Sequence, residues 1–396
     1  MNRIQERLDN EIPPSQAAYR KQRSTTEHVF AAKLVIDRTI TAKDETSYLL
    51  LHDMSKAFDS INRKTLINDL KTVIQPDELH LVYKMIQVEL AARVGNHISD
   101  YFKTDIGAPQ GDCLSANEFT FYLAKTMNDE DEDQENQTIN EPPTLEIRND
   151  TDELDINMEY ADDITEITDD YSLIESIKRD LPGKLEKRNL HINVDKTEEY
   201  TVNKNTNDWR KCKLLGSILD TDGDIKRRKG LAINALNKIK YIIDNDKLTW
   251  KTKSRAFDTY VGSIFQYNSE LWTMTMKREN EIDVFQRTLL RTKIIKIKWP
   301  DVISNETLYQ TTNQKAWSEV IRKRRLRWFG HMARLSNNTP AKIALDYATE
   351  HFKKSRGRPT TTWISQMKRE LKEKDLTWEN ALIAAQDKPT WEKIVN

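Results

Sequence analysis

Cysteine is almost absent from this 396-residue chain, which holds only Cys113 and Cys212. That excludes a disulfide framework, and with no CxxC pair or Cys/His cluster at ligand spacing it also excludes a structural zinc site. Long hydrophobic runs are missing as well. Residues 48–51 and 294–297 are too short or too charged to cross a bilayer, and no apolar signal-peptide core opens the sequence. A reducing, intracellular setting is therefore expected, nuclear or cytoplasmic, with no membrane partner. Net charge is nearly absent too, formally -1. The balance conceals a division, because residues 271–396 carry 25 Lys and Arg against 14 Asp and Glu, whereas residues 1–270 hold 37 against 49.

What is present suffices for packed cores, since 37% of residues are hydrophobic, and for a wetted surface, since 32% are charged. The length predicts two or three domains. The basic carboxy-terminal third holds seven of the nine Trp residues, a combination that suits phosphate attraction and base stacking. For any single Trp, packing between helices is the better reading; for the segment as a whole, nucleic-acid binding is. Two clusters stand out as phosphate contacts, with nuclear import as a weaker reading: Arg322, Lys323, Arg324, Arg325 and Arg327, and then Lys353, Lys354, Arg356 and Arg358.

Residues 1–45 read as helical, with Ser24-Thr25-Thr26 capping a helix over 28–41. A short apolar run over 47–53 predicts a buried strand with Asp53 at its exit. Spacing over 63–93 predicts two helices. The loop over 107–112 opens onto a helix over 114–127, so backbone amides and a helix start face whatever lies above the sheet. Residues 128–155 hold twelve acids against one base and read as a solvated insertion without chemistry. A hairpin follows over 158–167, turning at Ala161-Asp162. Then come a helix over 173–187, an edge strand over 190–202 and a small hairpin arm over 213–218. Beyond Asp224 the pattern is helical.

Asp53 and the pair Asp162-Asp163 are the chemically informative acids. Three carboxylates at neighbouring strand ends could hold two magnesium ions, the arrangement nucleotidyl transfer requires, because hard cations take carboxylate oxygens. Alone, an Asp-Asp pair in a chain with 63 acids reads as a solvated turn. Order along the chain supplies the specificity. Tyr19-Arg20-Lys21-Gln22-Arg23-Ser24-Thr25 is followed by Asp53-Met54-Ser55-Lys56-Ala57-Phe58-Asp59 and Gly107-Ala108-Pro109-Gln110-Gly111-Asp112. After these come Tyr160-Ala161-Asp162-Asp163, Asn193-Val194-Asp195-Lys196-Thr197 and Leu214-Leu215-Gly216.

In that order the chain, from about Gln16 to its end, resembles the reverse transcriptases of non-LTR (LINE-type) retrotransposons. Arg327-Trp328-Phe329-Gly330-His331 and Gly357-Arg358-Pro359 resemble segments downstream of the polymerase in such elements. The resemblance implies that Asp53 and Asp162 bind two Mg²⁺ ions, with Mn²⁺ an alternative, and that Asp163 orients the site or binds more peripherally. It implies that Phe58 presses on the sugar and selects deoxyribonucleotides, although an ordinary core Phe is an equal reading. Gln110 and Gly111 would meet the nucleotide, Lys196 would protonate departing pyrophosphate, and Leu215-Gly216 would border the primer terminus. Asp59 reads as structural, and His331 as packing or phosphate contact.

Departures from the family pattern are also legible. Little precedes Gln16 where the family carries a fingers segment, no endonuclease or zinc knuckle is expected, and Gln22 stands where glycine is usual. The expected fold is α+β: a right-hand polymerase palm with an antiparallel sheet, partial fingers, a helical thumb and a helical basic C-terminal extension. The expected divisions are 1–45, 46–220, 221–300 and 301–396. The expected function is an RNA-directed DNA polymerase using an RNA template, a DNA primer and deoxynucleoside triphosphates. The alternative is an inactive, truncated remnant that binds only RNA or RNA-DNA duplex.

Overall fold

An apolar run without helical spacing forms β1 (Ser47–Asp53), and the main sheet is built around it. Strand β2 (Asp155–Tyr160) pairs with β3 (Asp163–Thr168), β3 pairs with β1, and β1 pairs with β4 (Glu198–Val202), every pairing antiparallel. Leu49 and Leu50 point to opposite faces and are both completely buried, so the strand is covered on both sides. The computed structural model describes residues 2–87, 89–109, 114–128, 154–298, 300–350, 353–357 and 360–396. They fall in two compact units, one of residues 1–28, 46–202 and 338–340, the other of 29–45, 203–337 and 341–396.

The longer helices interleaved in sequence with these strands are α1 (Asn2–Glu11), α2 (Thr25–Thr41, most of it in the second unit), α3 (Arg63–Leu70), α4 (Pro76–Ile86), α5 (Ser115–Asn128) and α6 (Tyr171–Glu186). Their limits follow local chemistry. Asn62 caps α3 by accepting from the Lys64 and Thr65 amides, and Pro76 opens α4, where Glu78 reaches back to the Gln75 amide. In the first unit, Met54, Ile61 and Ile164 pack with Leu66 and Leu70 of α3, Val82 and Ile86 of α4, Phe119 and Phe121 of α5, and Leu185 of α6.

Two expectations change. The second helix of the 63–93 stretch stops at Ile86, and two small antiparallel ladders follow, Glu89–Leu90 with Phe102–Lys103 and Arg93–Val94 with His97–Ile98. Gly95, at φ +62°, turns the inner ladder back. The strand expected over 190–202 is confined to Glu198–Val202, because the Asn193 amide donates to the Asp53 carbonyl and the chain winds through a 3₁₀ turn, Val194–Lys196. Most of the acidic insertion, residues 129–153, lies outside the described residues. Gln22 has φ +63°, a left-handed conformation in which a side chain costs about 1–2 kcal/mol.

The second unit is helical: α7 (Thr221–Lys238), α8 (Trp250–Phe257), α9 (Met276–Leu289), α10 (Asn305–Thr312), α11 (Trp317–Ala333), α12 (Pro340–Thr349), α13 (Trp363–Lys372), α14 (Trp378–Gln386) and α15 (Lys388–Val395) are its longer elements. Trp317 stacks on Phe265 with ring centroids 4.2 Å apart and lies at the centre of its core. Trp272, Trp317, Trp328, Trp363 and Trp391 are all buried. The packing expected of any single Trp holds for these five, whose indoles are committed to the core. Among the described residues no helix is long and apolar enough to cross a membrane.

Gly330 shows how tightly this core closes. A Cβ there would lie 2.2 Å from Cδ1 of Trp391, whose indole is pinned by donation from Nε1 to the Leu326 carbonyl at 2.8 Å. Gly330→Ala should destabilise the protein by about 1–3 kcal/mol in urea unfolding, and adding Trp391→Leu should recover part of that loss. Equal stability of parent and single variant would contradict this packing.

Candidate active site

Strand register, not sequence proximity, brings the acids together. Asp53 ends β1 directly opposite Asp163, the first residue of β3. Tyr160 pairs with Asp163 across a two-residue turn, so Ala161 and Asp162 form the tip between β2 and β3. The ammonium of Lys196 donates to Oδ2 of Asp53 at 2.8 Å. This bond, then the Asp53 charge and, more weakly, Asp162 and Asp163, raise the Lys196 pKa, so the amine stays charged at neutral pH. Tyr19 adjoins the same end: burial first and the Asp162 charge second raise its phenol pKa.

The donor set fits a hard divalent cation, since all three acids offer carboxylate oxygens and the Lys196 ammonium already stands as a positive charge among them. As the side chains lie, no three His, Cys, Asp or Glu among the described residues converge into a ready metal cluster.

The loop after β1 carries Phe58, whose ring packs against the core of this unit. Phe58 stacks on Phe119 with centroids 4.5 Å apart and is half-buried, so part of the ring remains open. Its carbonyl accepts from the Ala108 amide at 2.8 Å, and the Ile61 carbonyl accepts from Gly107 at 2.8 Å. Gly107, at φ +85°, passes so near Asp59 that a Cβ would come within 3.2 Å of its carbonyl oxygen. Arg63 completes the joint, Nε donating to the Gly107 carbonyl and Nη1 to that of Thr104, each at 2.7 Å. Gln110 and Gly111 lie outside the described residues.

Several residues that hold the hairpin carry no motif signal on their own. Gln16 is completely buried, and its Oε1 accepts from the amides of Ala18 and Ala161, each at 3.0 Å. The Ala17 amide donates to the Glu159 carbonyl, and the Glu159 amide to that of Ser15, both at 3.0 Å. A lone Gln or Ser before a basic motif gives no warning of this; only the pairing of Gln16 with the hairpin does.

In the second unit, Leu215 and Gly216 form the turn between the arms Lys213–Leu214 and Ser217–Ile218, at φ +44° and +79°. Both carbonyls are engaged: Tyr267 donates to Leu215 at 3.0 Å, and Arg227 and Arg228 donate to Gly216. The first basic cluster lies on α11, where internal acids meet it. Arg322 pairs with Glu373, Lys323 with Glu319, and Arg324 bidentately with Glu270. Arg325 is corrected as a phosphate contact, because it is buried with its guanidinium on Glu370 and the Trp272 carbonyl. Arg327 is exposed beside Glu392. Lys353, Lys354 and Arg356 are exposed on a segment anchored by backbone bonds to Thr41 and Lys43. Arg358 lies outside the described residues, and His331 packs against Trp328 at 5.2 Å.

A sheet whose register gathers acids beside a lysine is a polymerase-like arrangement, and comparison with known proteins agrees. Residues 1–219 match the model of the reverse transcriptase (RNA-dependent DNA polymerase) family, more than half of the chain. The chain belongs to that family. It is 22% identical over 248 residues to an uncharacterized transposon-derived protein of Caenorhabditis elegans, covering 56% of this chain and 88% of that one. Among solved structures it is similar to telomerase from Candida tropicalis in complex with a telomeric RNA fragment, at TM-score 0.43 and 13% identity, covering 88% of this chain and 56% of that one. It is also similar to the corresponding Candida albicans complex, at TM-score 0.38 and 11% identity, covering 88% and 58%. The chain thus spans about half the length of those telomerases.

Burial around the hairpin has a pH signature. Burial pushes the Glu159 carboxyl up to about 7, a shift that the Ser15 hydroxyl only partly opposes. The unfolded chain releases this proton near the ordinary Glu value, so between about 4.5 and 7 the folded state binds more protons and stability falls as pH rises. His28, driven down to about 4 chiefly by burial, acts oppositely, its contribution rising with pH between about 4 and 6.5. Glu159→Gln should therefore gain roughly 2 kcal/mol relative to the parent between pH 5 and pH 8 in urea unfolding. A difference independent of pH would contradict a buried, protonated Glu159.

Proposed function

We propose that the chain acts as an RNA-directed DNA polymerase of the non-LTR retrotransposon type, extending a DNA primer along an RNA template. The observation that carries this reading is the register setting Asp53 opposite Asp163 with Asp162 on the adjoining turn, in a member of the reverse transcriptase family. The transposon-derived relative supports a retroelement origin. In this reading residues 1–45 are partial fingers, 46–220 palm, 221–300 thumb and 301–396 a basic extension.

Asp53 and Asp162 would hold two Mg²⁺ or Mn²⁺ ions, with Asp163 beside them. Bound ions of this kind activate the primer 3′-hydroxyl and neutralise charge on the triphosphate and the leaving pyrophosphate. Lys196, kept charged by Asp53, gives its Nζ proton to departing pyrophosphate. Phe58, braced by Phe119, crowds a 2′-hydroxyl and so favours deoxyribonucleotides. Gln110 and Gly111 contact the incoming nucleotide, and the Leu215-Gly216 turn borders the primer terminus. The outer residues of α11, Arg322, Lys323, Arg324 and Arg327, join Lys353, Lys354, Arg356 and Arg358 as phosphate contacts. Ionic partners on the same surface leave these a modest, salt-sensitive share of affinity.

A second reading is a catalytically silent protein that only binds RNA or RNA-DNA duplex. The Lys196 ammonium that already occupies Asp53 is the observation that favours it. Primer extension on an RNA template with Mg²⁺ separates the two. Parent protein should extend the primer, while Asp162→Asn should lose extension by at least about 100-fold with duplex affinity unchanged. Duplex binding without extension by the parent would support the silent reading, and equal extension by both proteins would remove Asp162 from the site.

A further inference from the structure

The tip of the β2–β3 hairpin presents a physical difficulty that one distant side chain resolves. Ala161 is the first of the two turn residues and has φ +56°, a conformation that hairpin turns ordinarily assign to glycine. It is buried, and its amide points away from solvent rather than across the ladder, since the last β2–β3 pair is Tyr160 with Asp163. Such an amide needs an acceptor. The acceptor is Oε1 of Gln16, 145 residues earlier, at 3.0 Å, and the same oxygen takes the Ala18 amide at 3.0 Å. Two backbone donors fix which end of the carboxamide is oxygen. The other end, Nε2, is buried with no partner among the described residues. A buried amide that leaves one donor unsatisfied is costly, and the two bonds its oxygen accepts offset that cost.

We propose that Gln16 is a positioning residue: its carboxamide oxygen clamps the left-handed Ala161 and thereby sets the aim of Asp162, the next residue on the turn. Reciprocal backbone bonds between Ser15, Ala17 and Glu159 hold the Gln16 segment alongside β2, so the clamp and the hairpin move as one piece. Gln16 touches no reacting atom; it acts through Ala161. The catalytic consequence rests on the polymerase reading above, whereas the clamp itself does not.

Amide hydrogen exchange tests the clamp without reference to activity. In the unsubstituted protein the Ala161 amide should be protected at least about tenfold relative to an open turn; exchange at the open-turn rate would overturn the proposal. Gln16→Met, which keeps the length and removes the acceptor, should expose Ala161 to exchange, and Gln16→Glu, which keeps an oxygen, should restore protection. Ala161 protection unchanged in Gln16→Met would likewise overturn the clamp. On an RNA-templated primer, Gln16→Met should lower the extension rate constant about 10-fold or more without changing primer-template affinity, and Gln16→Glu should recover most of it. A parent that never extends overturns the polymerase reading while the exchange result still decides the clamp. A parent that extends no faster than Gln16→Met overturns the positioning role.

Discussion

The antiparallel pairing of β1 with β3 is the constraint on which the candidate site depends. It runs from Tyr48 opposite Thr168 to Asp53 opposite Asp163, and because side chains alternate across a strand, a slip of one residue would send Asp53 to the other face. Leu49, Leu50, Ile164 and Ile167 are all buried, on both faces of the sheet, so a slip would break the packing that each now makes. The register thus places the three acids at one end of the sheet, where Lys196 pairs with Asp53.

Polar groups then refine what the core has fixed. Behind the hairpin, Gln16, Ser15 and Glu159 supply bonds that an apolar core cannot, and in front of it Lys196 offsets the Asp53 charge. The loop that carries Phe58 is treated similarly, with Arg63 satisfying carbonyls that the close Gly107 crossing would otherwise leave without donors. Buried polar groups are costly when unpaired, so these bonds hold the hairpin and the adjoining loop in one geometry.

Much of this was legible from the sequence. The limits of β1 and the turn at Ala161-Asp162 follow from short apolar runs with a polar break, and the structure reproduces them. Asp53 and Asp163 were therefore foreseeable as neighbours. The second of the two helices over 63–93 was read too long: it ends at Ile86, and short ladders that reverse at Gly95 follow it. The edge strand was read too long because the bonds that interrupt it come from Asp53, a hundred and forty residues away. Gln16 could not be assigned a role, since its partner lies equally far along the chain. The Trp residues of the basic region follow the reading made for each singly, because large indoles contribute more free energy inside a core than on its surface, and five are inside.

The basic region also shows why charge counts overstate available charge. Of the five cations on α11, one is interior and the others face acids of the same unit, so its field is weaker than its net charge implies. The account therefore stands chiefly on the sheet end. The most direct measurement is a Mn²⁺ titration by electron paramagnetic resonance, with a primer-template duplex and a deoxynucleoside triphosphate present. Two ions bound per chain, reduced to the level of duplex and nucleotide alone by Asp53→Asn, is the predicted result. Identical binding by the parent and Asp53→Asn would contradict a metal site built by the β1–β3 register.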